Sequence, residues 1–356
     1  MKRRSVRHIV AALVAGSLAF GTAPVATAAT TPDLGVPTAG PVAAPGRIGA
    51  THLDPYSVFN ASSARLDALF RAQKAAGIDT VIVQWTGALT ASGVVTTYPA
   101  SASTGFGAWD TVLPRLLASA KQNGVTVWLG LVLKSSLLDL PGTRADAALL
   151  DRIARDDVTL AADLLSKYPG QFAGWYIPTE PGYATIADPA LTALHSQHLK
   201  KIVDGLDALP STLDVMVSPS VPRAIEGGLS GVEFVSRLAP LIEDTGVDVW
   251  NLQDGYKMTA WTPAQNRALI EKGKELAAPA GAEVWATIYT PGPGEANGPV
   301  DPVGFFEDLD TVSATGAPVT IWTFVSAMDP DPTRSHAVSR QILYGQYRTH
   351  IDPPAP

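Results

Sequence analysis

The run Gly174-Trp175-Tyr176-Ile177-Pro178-Thr179-Glu180-Pro181 ends an apolar stretch on a carboxylate. Alternate residues of an extended chain share a face, so Glu180 is placed on the side of Pro178 and Tyr176. A glutamate partly withdrawn from water there would have the raised proton affinity that a general acid needs. A second run, Trp250-Asn251-Leu252-Gln253-Asp254-Gly255-Tyr256, sets another carboxylate among amides and aromatic rings. Aromatic faces cover the apolar side of a polyhydroxylated ring, while Asn, Gln and Asp bond its hydroxyls. Both runs also have plainer readings: a loop glutamate can cap a helix, and Asp-Gly is an ordinary turn dipeptide.

The elements that must position these groups recur eight times between Arg47 and Tyr347: an apolar run, a polar loop, a helix-like segment and a glycine. The strand candidates are 47–54, 80–86, 126–133, 172–181, 213–221, 247–255, 283–290 and 317–328. They are nearly continuously apolar and rich in Val, Ile and Trp, as strands buried on both faces of a parallel sheet must be. Between them, apolar residues such as Leu66, Leu69 and Phe70 recur at helical spacing. Gly77, Gly124, Gly246 and Gly316 stand where helix C-caps need positive φ. Thr262-Pro263 reads as an N-cap with proline in the first turn, opening a helix over 264–277. This alternation specifies an α/β fold, a single (β/α)8 TIM barrel over residues 47–348, whose chemistry sits where the strands end.

Six of the eight tryptophans fall in predicted strands. The strand ends supply candidate substrate contacts: His52 and Asp54 from the first, Gln84 and Trp85 from the second and Tyr176 from the fourth. The sixth adds Trp250, Asn251, Gln253 and Tyr256, the seventh Trp285 and the eighth Trp322. Singly, each reads more simply as packing. Their convergence on one rim is what points to a site. The long loop from Gly87 to Trp109, carrying Tyr98 and Phe106, is expected to shape it.

Lys2, Arg3, Arg4 and Arg7 precede an apolar stretch over Ile9–Phe20, and Ala26-Thr27-Ala28 offers a small-residue cleavage site. Residues 1–28 are therefore expected to be a signal peptide, followed by a flexible Ala/Pro/Thr-rich lead-in over 29–46; residues 349–356 read as a C-terminal tail. The expected localisation is secreted, extracellular or at the cell envelope, without integral membrane association after cleavage. The chain has no cysteine, which excludes disulfides, thiolate metal sites and cysteine catalysis. Its formal charge of −7 becomes −11 without the four leader cations, an unfavourable balance for a duplex nucleic-acid partner.

Gly77-Ile78-Asp79-Thr80-Val81-Ile82-Val83-Gln84-Trp85, then Gly174 to Glu180, Leu252-Gln253-Asp254-Gly255 and Trp285-Ala286-Thr287-Ile288 resemble, in order, the glycoside-hydrolase-like TIM barrels of the domain of unknown function 4434 family. The resemblance implies a barrel that handles carbohydrate, with Glu180 where retaining glycosidases keep their general acid on the fourth strand. Two positions depart from that pattern: Thr179 replaces the usual Asn before the acid, and Tyr289 stands where the seventh strand normally ends in the nucleophilic glutamate. Three pairings follow, in order of preference: Glu180 with Asp254 as base or nucleophile, Glu180 with Glu295, or Tyr289 as nucleophile assisted by a carboxylate.

The expectation is a secreted glycoside hydrolase acting on an extracellular or cell-envelope polysaccharide. The alternative, prompted by Tyr289, is a catalytically inactive barrel that binds glycans. A metal reading of Asp329, Asp331 and His336 is weaker, because the intervening prolines favour a tight turn and no metal-ligand spacing is present. Pro291-Gly292-Pro293-Gly294 lacks the lysine and spacing of a phosphate loop, and no organic cofactor or metal is expected.

Overall fold

The computed structural model describes residues 40–41, 43–134, 146–220, 229–254, 261–294 and 299–352. The expected signal peptide lies outside them. In chain order the strands are β1 (Ala50–Leu53), β2 (Thr80–Val83), β3 (Gly87–Thr90), β4 (Gly93–Thr96), β5 (Gly107–Ala108), β6 (Thr126–Gly130), β7 (Val132–Leu133), β8 (Gly174–Ile177), β9 (Asp214–Val217), β10 (Val249–Gln253), β11 (Glu283–Tyr289) and β12 (Val319–Trp322). The helices are α1 (Ser63–Ala75), α2 (Val112–Gln122), α3 (Ala147–Lys167), α4 (Tyr183–Ala187), α5 (Pro189–Asp207), α6 (Gly231–Arg237), α7 (Ala239–Asp244), α8 (Pro263–Ala280), α9 (Pro302–Ser313), α10 (Phe324–Ala327) and α11 (Ala337–Ile351).

All eight predicted apolar runs form barrel strands, shorter at their ends than their hydrophobic patterns. They close in the order β1-β2-β6-β8-β9-β10-β11-β12, with β12 returning to β1. Every pairing around the barrel is parallel, and the enclosing helices make it a (β/α)8 barrel. Two layers of core result from the strand alternation. Ile82, Trp128, Tyr176, Met216, Val249 and Trp285 fill the barrel interior. Val81, Trp175, Ile177, Trp250, Leu252, Ile288 and Ile321 face outward into the helix layer.

Local signals act as the sequence suggests. Gly77 and Gly246 take φ of +75° and +76°, which a side chain would oppose. Thr262 caps α8 in a capping box with Gln265 and has proline behind it. At the barrel base, Ile48 N–H donates to the Tyr347 hydroxyl at 2.8 Å, and Gly46 N–H donates to Ser313 Oγ at 2.7 Å. The described end of the lead-in thus packs on the barrel, and α11 runs three residues past the expected barrel end.

The first departure from the sequence reading is a second sheet. The loop after β2 is not irregular: β3 and β4 form an antiparallel hairpin, and the sheet runs β5-β4-β3-β7. The predicted third strand divides here. A Cβ on Gly130 would come within 2.2 Å of the Gln84 carbonyl oxygen, so the chain passes close to β2 before leaving the barrel as β7. The eighth run also stops early: Thr323 caps α10, accepting from Ser326 N–H.

Candidate active site

The C-terminal ends of the strands meet around His52. On β1 it is fully buried, with its ring 5.5 Å from that of Tyr176 and 4.8 Å from that of Trp322. Beneath it lies a polar layer. Thr287 donates to Asn251 Oδ1 at 2.7 Å, Thr320 does so at 3.3 Å, and Asn251 Nδ2 meets His52 Nε2 at 3.1 Å. Because the amide oxygen is taken by threonine hydroxyls, the amide nitrogen donates to His52, and Nε2 is the acceptor. The proton therefore sits on Nδ1. Burial drives the imidazole pKa down to about 3, so the ring is neutral at physiological pH.

Glu180 emerges just beyond β8 and is half-buried. The phenol of fully buried Tyr176 is pushed well above its ordinary pKa, first by burial and then by the charge of Glu180. Strand alternation puts Glu180 on the Tyr176 side of β8, where its charge reaches the phenol. Across the barrel, Tyr289 ends β11 and is also half-buried. Its backbone N–H donates to Asp254 Oδ1 at 3.1 Å, and Asp254 N–H donates to the Thr287 carbonyl at 2.9 Å.

Asp254 is fully buried. Its carboxylate is engaged with the end of β11, and Tyr289 is the more accessible of the two groups. Gln84, Gln253 and Trp322 are half-buried on the inward faces of their strands, alongside Glu180 and Tyr289. The Trp322–Thr323 peptide is cis.

Three tryptophans are not where rim contacts were expected. Trp250 lies on the helix side of β10, opposite Asn251, in the outer core. Trp285 points inward but packs low in the barrel, 5.4 Å from Trp128 and against Gly40. Trp85 is buried beneath Tyr56, Phe59 and Trp109, and its indole N–H donates to Asp54 at 3.3 Å. Asp54 also caps the turn Pro55–Val58 through Tyr56 N–H. Its pKa is raised by burial, against the lowering effect of those two hydrogen bonds. Glu295 and Tyr256 lie outside the described residues.

Sequence reasoning missed Thr287, Thr320 and Ser218. Thr287 and Thr320 stand two residues before Tyr289 and Trp322, so the same alternation would place them one layer below the rim. Ser218 Oγ donates to the Asn251 carbonyl at 2.8 Å. The acids after β12 are held by cations: Arg65 pairs with Asp329 and, at 2.7 Å, with Asp331, and Arg334 lies 3.7 Å from Asp329. Among the described residues no group of three metal-ligating side chains converges, and no helix is long and apolar enough to cross a membrane.

Solved structures share this architecture. A candidate alpha-L-fucosidase from Bacteroides thetaiotaomicron aligns with a TM-score of 0.70 at 19% identity, covering 88% of this chain and 98% of its own. The endo-1,4-beta-D-mannanase of Thermotoga petrophila aligns at 0.55 with 13% identity, covering 85% and 99%. A GH18 chitinase from Pseudoalteromonas aurantia gives 0.52 at 15% identity, covering 79% and 96%. At these identities the likeness shows a glycoside-hydrolase-like fold. No curated protein matches the chain by sequence. The model of the domain of unknown function DUF4434 matches residues 55–305, and the chain belongs to that family.

Proposed function

We propose that the protein is a glycoside hydrolase that cleaves a polysaccharide outside the cytoplasm. The observation that carries this reading is Glu180, half-buried at the end of the fourth barrel strand and electrostatically coupled to the buried Tyr176 beside neutral His52. Glu180 is assigned as the general acid that protonates the leaving oxygen. Tyr289, with its backbone fixed by Asp254, is assigned as the group acting on the sugar from across the mouth. Trp322 and Gln253 supply an aromatic face and an amide for the substrate ring. The basic and then apolar N-terminal sequence supports export.

The test is reducing-sugar release from a panel of bacterial-envelope and plant polysaccharides, comparing the protein with Glu180→Gln. Loss of about a hundredfold or more in turnover is expected, the usual contribution of a positioned acid. Turnover undiminished in the variant would remove Glu180 from the reaction. A second reading, a glycan-binding barrel without turnover, is favoured by Tyr289 at the strand end and by the burial of Asp254. It predicts binding, without release, that survives Glu180→Gln.

A further inference from the structure

We infer that Tyr56 and Trp109 form an accessory sugar-binding corner, which holds a pyranose unit of a polysaccharide chain that runs outward from the barrel mouth. This inference rests on the proposed carbohydrate function of the mouth. The two side chains are each 48% exposed, and their rings meet edge to face at 5.1 Å and 81°. The two exposed rings are in contact and so form one contiguous patch instead of scattered single side chains. Buried Trp85 and half-buried Phe59 lie behind them, with Trp85 4.8 Å from Tyr56 and Phe59 5.9 Å from Trp109.

Both residues are anchored through their backbones before any ligand arrives. Tyr56 N–H donates to Asp54 at 3.0 Å, and Trp109 N–H donates to the Thr96 carbonyl at 2.8 Å. The small sheet leading to Trp109 is fastened to α3 by two buried carboxylates. Asp157 accepts Val132 N–H at 2.8 Å; Asp163 accepts the Tyr98 hydroxyl at 2.9 Å and Ser101 N–H at 3.2 Å. Ordering cost on binding is correspondingly small.

The occupant follows from chemistry and position. The corner joins the mouth through a run of neighbours: the His52 ring packs on Tyr176, on whose side of the strand Glu180 stands, and Asp54 follows two residues after His52 and accepts from both Tyr56 and Trp85. Asp54 Oδ1 takes both of these hydrogen bonds, while its other oxygen has no described donor and can accept a sugar hydroxyl. A carboxylate beside the rings, in a chain of net charge −7, disfavours a polyanion. Stacking on aromatic faces with hydroxyls bonded to a carboxylate is the recognition that a neutral pyranose requires.

The experiment is affinity electrophoresis of the full chain through gels containing soluble β-mannan, xyloglucan, laminarin or glycol chitin. The variants are Tyr56→Ala/Trp109→Ala, Tyr56→Phe/Trp109→Phe and Glu180→Gln, each checked by thermal melting. Retardation by at least one polymer is expected, weakened about tenfold in apparent Kd by the alanine pair and largely retained by the phenylalanine pair. Where an aryl monosaccharide is hydrolysed, its rate should be unchanged by the alanine pair. Equal retardation of wild type and the alanine pair, or no retardation of wild type by any of the four polymers, overturns the inference. Glu180→Gln separates the two proposals: the corner should retard that variant like wild type whether or not Glu180 serves catalysis.

Discussion

The Asp254 carboxylate accepts the backbone N–H of Tyr289 at 3.1 Å, so the end of β10 holds the end of β11. A strand end is where a barrel loses its ladder hydrogen bonds and where its chemistry is placed. Fixing Tyr289 by its backbone leaves its side chain to face the mouth.

Asp254→Asn retains an acceptor oxygen, whereas Asp254→Ala leaves the partly buried Tyr289 N–H without it. We expect the alanine variant to lose about 1–3 kcal/mol of stability and most turnover, and the asparagine variant to keep the greater part of both. Urea unfolding and turnover of the two proteins check this. If asparagine proves as inactive as alanine while remaining stable, the charge of Asp254 itself takes part in the reaction.

Tyr289→Phe removes one hydroxyl from a half-buried ring. Its stability should stay within about 1 kcal/mol of wild type, and turnover should fall by about a hundredfold or more if the phenol acts chemically. Steady-state kinetics decide the matter, and unchanged turnover in the phenylalanine protein would withdraw Tyr289 from the mechanism.

Asn251 joins four strands' worth of polar groups through His52, Thr287 and Thr320. Asn251→Ala strands those buried partners and should cost about 2–4 kcal/mol. Denaturant unfolding measures the loss; a cost under about 0.5 kcal/mol would show that water replaces the amide without penalty.

Acid should destabilise the protein well above the carboxylate range. Burial lowers the pKa of His52 to about 3 and those of His195 and His198 to about 4, from 6.5. Between these values and 6.5 the unfolded chain binds more protons than the folded one, so stability falls as pH drops through that window. At pH 5 each imidazole contributes about 2 kcal/mol to the loss. Thermal melts from pH 8 to 4.5 should show the decline, and His195→Gln should make it shallower; an identical slope in that variant would contradict the assignment.

Arg65 secures the turn after β12 by pairing with buried Asp329 and with Asp331. Asp329→Ala leaves the guanidinium without its most buried partner and should cost about 3 kcal/mol. A shift of the unfolding midpoint corresponding to less than about 1 kcal/mol would show that Asp331 suffices.

The barrel and its helix caps were legible in the amino-acid sequence because both depend on short-range patterns. Apolar runs of strand length must be buried on two faces, and Gly77 or Thr262-Pro263 acts within a turn of its own position. Alternation likewise brought Glu180 to the side of Tyr176. The direction in which each tryptophan faces was not legible. Trp250, Trp285 and Trp85 share strand-end surroundings in sequence, yet one enters the helix layer, one the barrel floor and one an aromatic cluster. Register and the closure of the barrel decide this, and both arise from pairings between residues far apart in the chain. The same holds for Asp254, an ordinary turn aspartate in sequence, which becomes a buried clasp only when β11 lies beside β10. The small outer sheet depends on pairing β3 with β7 across more than forty residues, so its role in carrying Trp109 beside Tyr56 belongs to the tertiary structure alone.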